Sequence, residues 1–180
     1  MAHTLRKALE ADLPAIAELL NKAYRGDSSR AGWTTEADLI DGAVRTHLDE
    51  LQRLFFQSGS IFLVVETAES QIIGTVNLQV QAEGVYLGML AVSPDLQGGG
   101  IGKQLLYGAD AYARSLGLSR VFMTVISARS ELIAWYERHG YQFTGKTKPF
   151  QEDGYSGKHL QPLTFMYLEK QLYTPDISET

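Results

Sequence analysis

The chain has 180 residues, 44% hydrophobic and 21% charged, enough for one domain with a substantial core. Its formal net charge of −5 argues against a broad nucleic-acid footprint, and the absence of cysteine excludes disulfides, thiolate metal sites and a cysteine nucleophile. No apolar run approaches the roughly 18 residues of a membrane span and the N-terminus lacks a signal-peptide core, so a soluble, cytoplasmic protein without a membrane partner is expected.

Leu5 to Leu9 reads as a first strand, and Asp12-Leu13-Pro14 opens a helix with Ile16, Leu19, Leu20 and Ala23 on one face. Between Arg25 and Gly59 the pattern loosens. Thr34 or Thr35 is expected to cap a short helix there, and Leu48, Leu51, Leu54 and Phe55 mark another apolar stripe. Ile61 to Thr67, Ile72 to Gln81 and Val85 to Ser93 read as strands joined by polar turns at Glu69-Ser70 and Glu83-Gly84, an antiparallel meander. Behind a run of glycines, Ile101, Leu105, Ala109, Tyr112, Ala113 and Leu116 form a helix stripe stopped by Gly117. Val121 to Ile126 is a further strand, expected parallel to the Val85 strand, and a helix from Glu131 ends at Gly140. Gly145 to Lys158 reads as a loop able to fold over a site as a mobile lid. Leu163 to Leu168 is a strand, either an exposed edge for a second copy or internal to one sheet. Residues 173–180 read as a polar, disordered tail.

The segment Met89 to Leu106, MLAVSPDLQGGGIGKQLL, joins an apolar strand, a polar turn, a glycine loop and an apolar helix. That order makes an anion cradle: glycines 98, 99, 100 and 102 let backbone N–H groups approach a ligand, and the helix offers its unpaired amides and positive dipole end. A phosphorylated cofactor is the expected ligand. A nucleotide P-loop is excluded because Gln104 follows Gly102-Lys103 where Ser or Thr is required. The dinucleotide fingerprint also fails, with Lys103 at its third glycine position.

What fits is Gln97-Gly98-Gly99-Gly100-Ile101-Gly102, which resembles the Gln/Arg-x-x-Gly-x-Gly/Ala signature of the GNAT superfamily of N-acetyltransferases. A second segment, ELIAWYERHGY from Glu131 to Tyr141, resembles the family in placing Tyr136, Gly140 and Tyr141 on and after a late helix. The resemblance runs in order from about Leu5 to Leu172. It implies a mixed α/β (α+β) GNAT-like acyl-CoA N-acyltransferase fold, with a central mixed, mostly antiparallel sheet flanked by helices, in a single domain over residues 1–172. It further implies acetyl-CoA as cosubstrate, bound by Gln97, Gly98, Gly99, Gly100, Ile101 and Gly102, with Leu90, Ala91 and Val92 offering backbone contacts to its pantetheine arm. Lys103 is a further phosphate partner, or an exposed helix lysine.

In direct acetyl transfer a primary amine attacks the thioester, so the leaving thiolate needs a proton donor and the amine must first lose a proton. Tyr136 is the expected acid, since a phenol of pKa about 10 in contact can donate to a thiolate whose conjugate acid has pKa about 8.5. Its alternative is to pack on the sheet. At the two positions where family members carry a carboxylate base, this chain has Tyr86 and Thr124; Glu83, Glu36, Asp38 or a water chain are the substitutes. Arg129 stands where the family commonly has asparagine, as a phosphate partner or a helix-start surface charge. Tyr24, Trp33 and Glu36 are expected at the acceptor side, with Arg25, Asp27 and Asp38 beside them. Mild acidity suits a cationic or amine-bearing acceptor, a small-molecule or peptide amine. His3, His47, His139 and His159 show no paired metal spacing, so no metal is expected. Two further readings are a non-catalytic acyl-CoA-binding module and a peptide or protein N-terminal acetylase.

Overall fold

The computed structural model describes residues 2–172, and the expected tail at 173–180 lies outside the described residues. The chain runs β1 (Thr4–Lys7), α1 (Leu13–Tyr24), β2 (Ile40–Asp41), α2 (Leu48–Phe56), β3 (Ser60–Glu66), β4 (Ile72–Gln81) and β5 (Gly84–Val92). It continues through α3 (Ile101–Ser115), β6 (Arg120–Ile126), α4 (Ser130–Arg138), β7 (Gln142–Phe150), β8 (Lys158–His159) and β9 (Leu163–Gln171). Seven strands form one sheet in the order β1-β3-β4-β5-β6-β9-β7, and β2 pairs with β8 separately. All pairings in the large sheet are antiparallel except β5 with β6. This is the mixed, mostly antiparallel sheet that the sequence implies. Among the described residues no helix is long and apolar enough to cross a membrane.

Alternation along each strand splits the core between two faces. On β3, Leu63 and Val65 join the cluster built on α3 and α4, while Phe62 and Val64 join the cluster built on α1 and α2. The expected stripe of α1 is buried throughout: Ile16, Leu19, Leu20 and Ala23 are all in the second cluster. Leu51 and Leu54 of α2 join them, whereas Leu48 stays exposed at the helix start. Leu116, expected on the α3 stripe, falls just past the helix and is exposed.

Three expectations are corrected, and one open alternative is decided. β1 ends at Lys7, before Leu9, because the chain turns there into a short 3-10 segment held by the Leu9 N–H to Asp12 carboxylate bond of 2.7 Å. No helix follows Thr34 or Thr35. The Thr35 hydroxyl instead accepts the Ala37 N–H at 3.1 Å, a local turn that satisfies the amide without a helix. Residues 145–150 belong to β7, so only the remainder of the expected lid is loop. Of the two readings of Leu163–Leu168 the internal one holds: β9 is flanked by β6 and β7, and β7 occupies the outer position.

Candidate active site

The site begins with a defect in β5. Thr75 faces Ala91 and Asn77 faces Gly88, so Met89 and Leu90 together oppose Val76. Met89 absorbs the extra residue at φ 51, the left-handed region that a bulge uses. Upstream of it, β5 and β6 pair only at Val85–Val121 and Tyr86–Phe122. Beyond Tyr86 the strands separate, and the gap is open to side chains from both.

The second component is the start of α3. Gly100 sits at φ 83 with no side chain capping the helix, and the first helical bond runs from the Gln104 N–H to the Gly100 carbonyl at 3.0 Å. The amides of Ile101, Gly102 and Lys103 therefore point outward with the positive end of the helix dipole. A Cβ at Gly98 or Gly100 would meet nothing within 4 Å, so the loop is a cradle with open space before it.

These components border a cleft of about 330 Å³. Leu90, Ala91 and Val92 line one side of it, and Gln97, Gly98, Gly100, Ile101, Gly102 and Lys103 another; Gly99 does not line it. Tyr24 and Trp33 close the far side. The fourth wall comes from α4 and the residue that ends it, with Leu132, Trp135, Arg138 and His139 on one face. Their three- and four-residue spacing is a helix stripe that the sequence reading left unused.

Several of these groups have partners of their own. The Gln97 amide donates to the Thr34 hydroxyl at 2.6 Å and to the Val92 carbonyl at 3.2 Å, and its oxygen accepts the Trp33 N–H at 2.9 Å. Gln97 thus ties the 33–34 segment to the glycine loop instead of extending freely toward a phosphate. A Cβ at Gly32 would lie 2.4 Å from the Gln97 amide, so a side chain there would push Gln97 off these partners. Gly102 likewise admits the Trp135 ring, 3.0 Å from where its Cβ would sit. The Tyr24 hydroxyl donates to the Leu90 carbonyl, so that oxygen is already engaged.

A second, smaller chamber of about 70 Å³ lies behind the cleft, and Tyr24, Leu90 and Leu132 line both. Tyr136 faces this chamber while packing in the α3/α4 core, only 5% exposed. Burial pushes its phenol well above the ordinary value; neighbouring Tyr24 pushes the same way and the Arg129 cation opposes it. Glu36 and Thr124 also line the chamber. The Thr124 hydroxyl lies 3.1 Å from that of Tyr86, so the two expected base positions hold a hydrogen-bonded pair of hydroxyls.

Glu36 is buried between two guanidiniums, 2.8 Å from Arg25 and 3.3 Å from Arg129. Arg129 also donates to the Thr34 carbonyl. This corrects both readings of Arg129: its side chain is only 9% exposed, and it faces the small chamber instead of the glycine loop. Arg25 donates to the Ser156 carbonyl at 3.0 Å, which pins the 151–157 loop against the cluster. Asp27 and Asp38 are exposed and paired with Arg30, and Glu83 is exposed beside Arg120, so none of the three lines either chamber.

The profile described as Acetyltransferase (GNAT) family matches residues 13–141. The chain belongs to that family. No curated protein sequence matches it. Among solved structures it is similar to the ribosomal-protein-S18-alanine N-acetyltransferase from Escherichia coli, 15% identical, covering 99% of each chain with a TM-score of 0.73. It is also similar to a ribosomal-protein-alanine N-acetyltransferase from Brucella melitensis, 21% identical, covering 94% of this chain and 99% of that one at a TM-score of 0.69. A spermidine N-acetyltransferase chimera from Vibrio cholerae and hSSAT is 22% identical over 93% of this chain and 95% of its own, with a TM-score of 0.63. At these identities the likeness is one of fold.

Proposed function

We propose that residues 1–172 form one unit that transfers the acetyl group of acetyl-CoA to an amine by direct attack. The observation that carries this reading is the opening of β5 from β6 beside an uncapped, glycine-led helix start. The fit to the cosubstrate rests on those free amides and on the open space at Gly98 and Gly100. Gly98, Gly100, Ile101, Gly102 and Lys103 would hold its diphosphate, and the β5 edge at Leu90–Val92 its amide-rich arm. Acetyl-CoA supplies an activated carbonyl. The amine nitrogen bonds to that carbonyl carbon, the carbon–sulfur bond breaks, and the sulfur leaves as a thiolate.

Tyr136 serves the leaving sulfur. Its raised pKa keeps the proton on oxygen at neutral pH, so a hydrogen bond is always available to the thiolate. The same shift makes complete proton transfer uphill, and the donated bond carries most of the effect. The amine's own proton leaves toward the Tyr86–Thr124 hydroxyl pair and water, since among the described residues no carboxylate at the chamber is free: both Glu36 oxygens are held by arginines.

The test is acceptor-dependent CoA release, measured beside acetyl-CoA affinity, for the wild type and Tyr136→Phe. The expected result is unchanged affinity with kcat at least about tenfold lower. An unchanged kcat overturns the role of Tyr136. The hydroxyls at both usual base positions favour one other reading, an acyl-CoA-binding module, and tight binding with no release for any amine would select it.

A further inference from the structure

We infer that the small chamber receives the carboxylate of a free amino acid, held by Arg45 and Arg129 while its amine meets the thioester. The inference rests on the acetyl-transfer reading and adds the class of acceptor to it.

The charge around the chamber carries the argument. Three arginines, Arg25, Arg45 and Arg129, surround one buried carboxylate, Glu36, whose two oxygens are taken by Arg25 and Arg129. Arg45 lines the chamber, half-buried, and its guanidinium has no carboxylate partner or hydrogen-bond acceptor among the described residues. It lies 5.6 Å from the Tyr24 ring centroid, and Arg129 lies 5.4 Å from the same ring. A cation partly withdrawn from water beside a second cation favours an anion between them, and a carboxylate matches the planar guanidinium fork.

The arrangement is built, not incidental to a loose segment. The Asn21 side chain on α1 accepts the Arg45 and Thr46 N–H groups at 2.6 and 2.9 Å and donates to the Thr46 carbonyl at 3.1 Å. That anchor fixes the backbone from which Arg45 reaches the chamber. Size points the same way. At the roughly 30 Å³ a water occupies in the liquid, about 70 Å³ holds about two waters, the size of a carboxylate, which leaves the amine at the mouth of the chamber. The shared walls Tyr24 and Leu90 place the chamber beside the cleft, so an anchored carboxylate sets the neighbouring amine toward it.

The same features disfavour other acceptors. A polyamine would bring cations against two arginines, and a peptide N-terminus has no carboxylate next to its amine. The overall charge of −5 is not what this chamber presents.

The test uses amino acids, each beside its α-amide and its decarboxylated amine, in two assays: CoA release from acetyl-CoA, and calorimetric binding to the CoA-loaded protein. The acids are expected to exceed their amides in kcat/KM by at least about thirtyfold. Arg45→Gln should raise KM for the acid at least about tenfold with kcat changed less than about threefold, and shrink the acid-to-amide ratio toward one. Arg45→Lys should restore part of it. An amide or amine used as well as its acid overturns the inference and leaves acetyl transfer standing. Acids that bind in an Arg45-dependent way without CoA release support the inference and overturn transfer. Acids that neither bind nor react overturn the inference.

Discussion

Replacing Glu36 with alanine would leave two guanidiniums facing each other in a site where water hardly reaches. Side-chain exposure is 2% for Arg25 and 9% for both Glu36 and Arg129. Breaking a buried pair by deleting one partner costs about 3–5 kcal/mol, because the remaining charge keeps its desolvation penalty. Here one deletion strands two cations, so the upper part of that range is expected. For a chain of this length, where each kcal/mol moves Tm by about 2–4 °C, a loss of about 4–5 kcal/mol corresponds to a fall of about 8–20 °C. Urea unfolding followed by circular dichroism measures it directly. Removing the second charge as well, in Glu36→Ala/Arg129→Met, should recover part of the loss, since the two substitutions share a partner. A single-variant loss below about 1 kcal/mol would refute the reasoning, showing that Arg25 and Arg129 find water or other acceptors once Glu36 is gone.

Two further outcomes follow from the same geometry. Gly100→Ala puts a side chain at φ 83, costing about 1–2 kcal/mol of stability, and projects a methyl group into the open space before the α3 amides. Acetyl-CoA affinity by calorimetry should fall at least about tenfold; unchanged affinity would exclude the glycine loop as the phosphate cradle. Burial raises the phenols of Tyr24, Tyr136 and Tyr141 in the folded state. Below the unfolded value of about 10 both states hold these protons, so stability is flat; above it the unfolded chain loses them first and stability falls. The slope approaches about 4 kcal/mol per pH unit if all three contribute. Urea melts from pH 8 to 11 test this, and a flat profile to pH 11 would refute it.

Much of the fold was legible because its signals are local. The α1 stripe from Ile16 to Ala23 and the three-strand meander each follow from spacing alone, and the structure has them within a residue or two. The glycine loop was legible for the same reason: its residues are contiguous. The small chamber was not, because its charges come from positions distant in sequence. Arg25, Glu36 and Arg129 meet only once the chain has closed, and nothing near Arg129 distinguishes a buried arginine from one at a helix surface. The strand at Leu163 stayed open between edge and interior because its pairing partners, β6 and β7, cannot be read from its own residues.

The bulge has a consequence for the reading frame of β5. Before it, Val85 and Leu87 point to the α3 side; after it, Leu90 and Val92 do. The apolar beat skips from a step of two to a step of three at Met89. A chain lacking that one residue would keep every other side chain on its present face, with strict alternation and an unbroken ladder. The irregularity in β5 is therefore a one-residue insertion, invisible to composition and almost free to the core. A plain strand and a bulged one differ in this protein by a single codon.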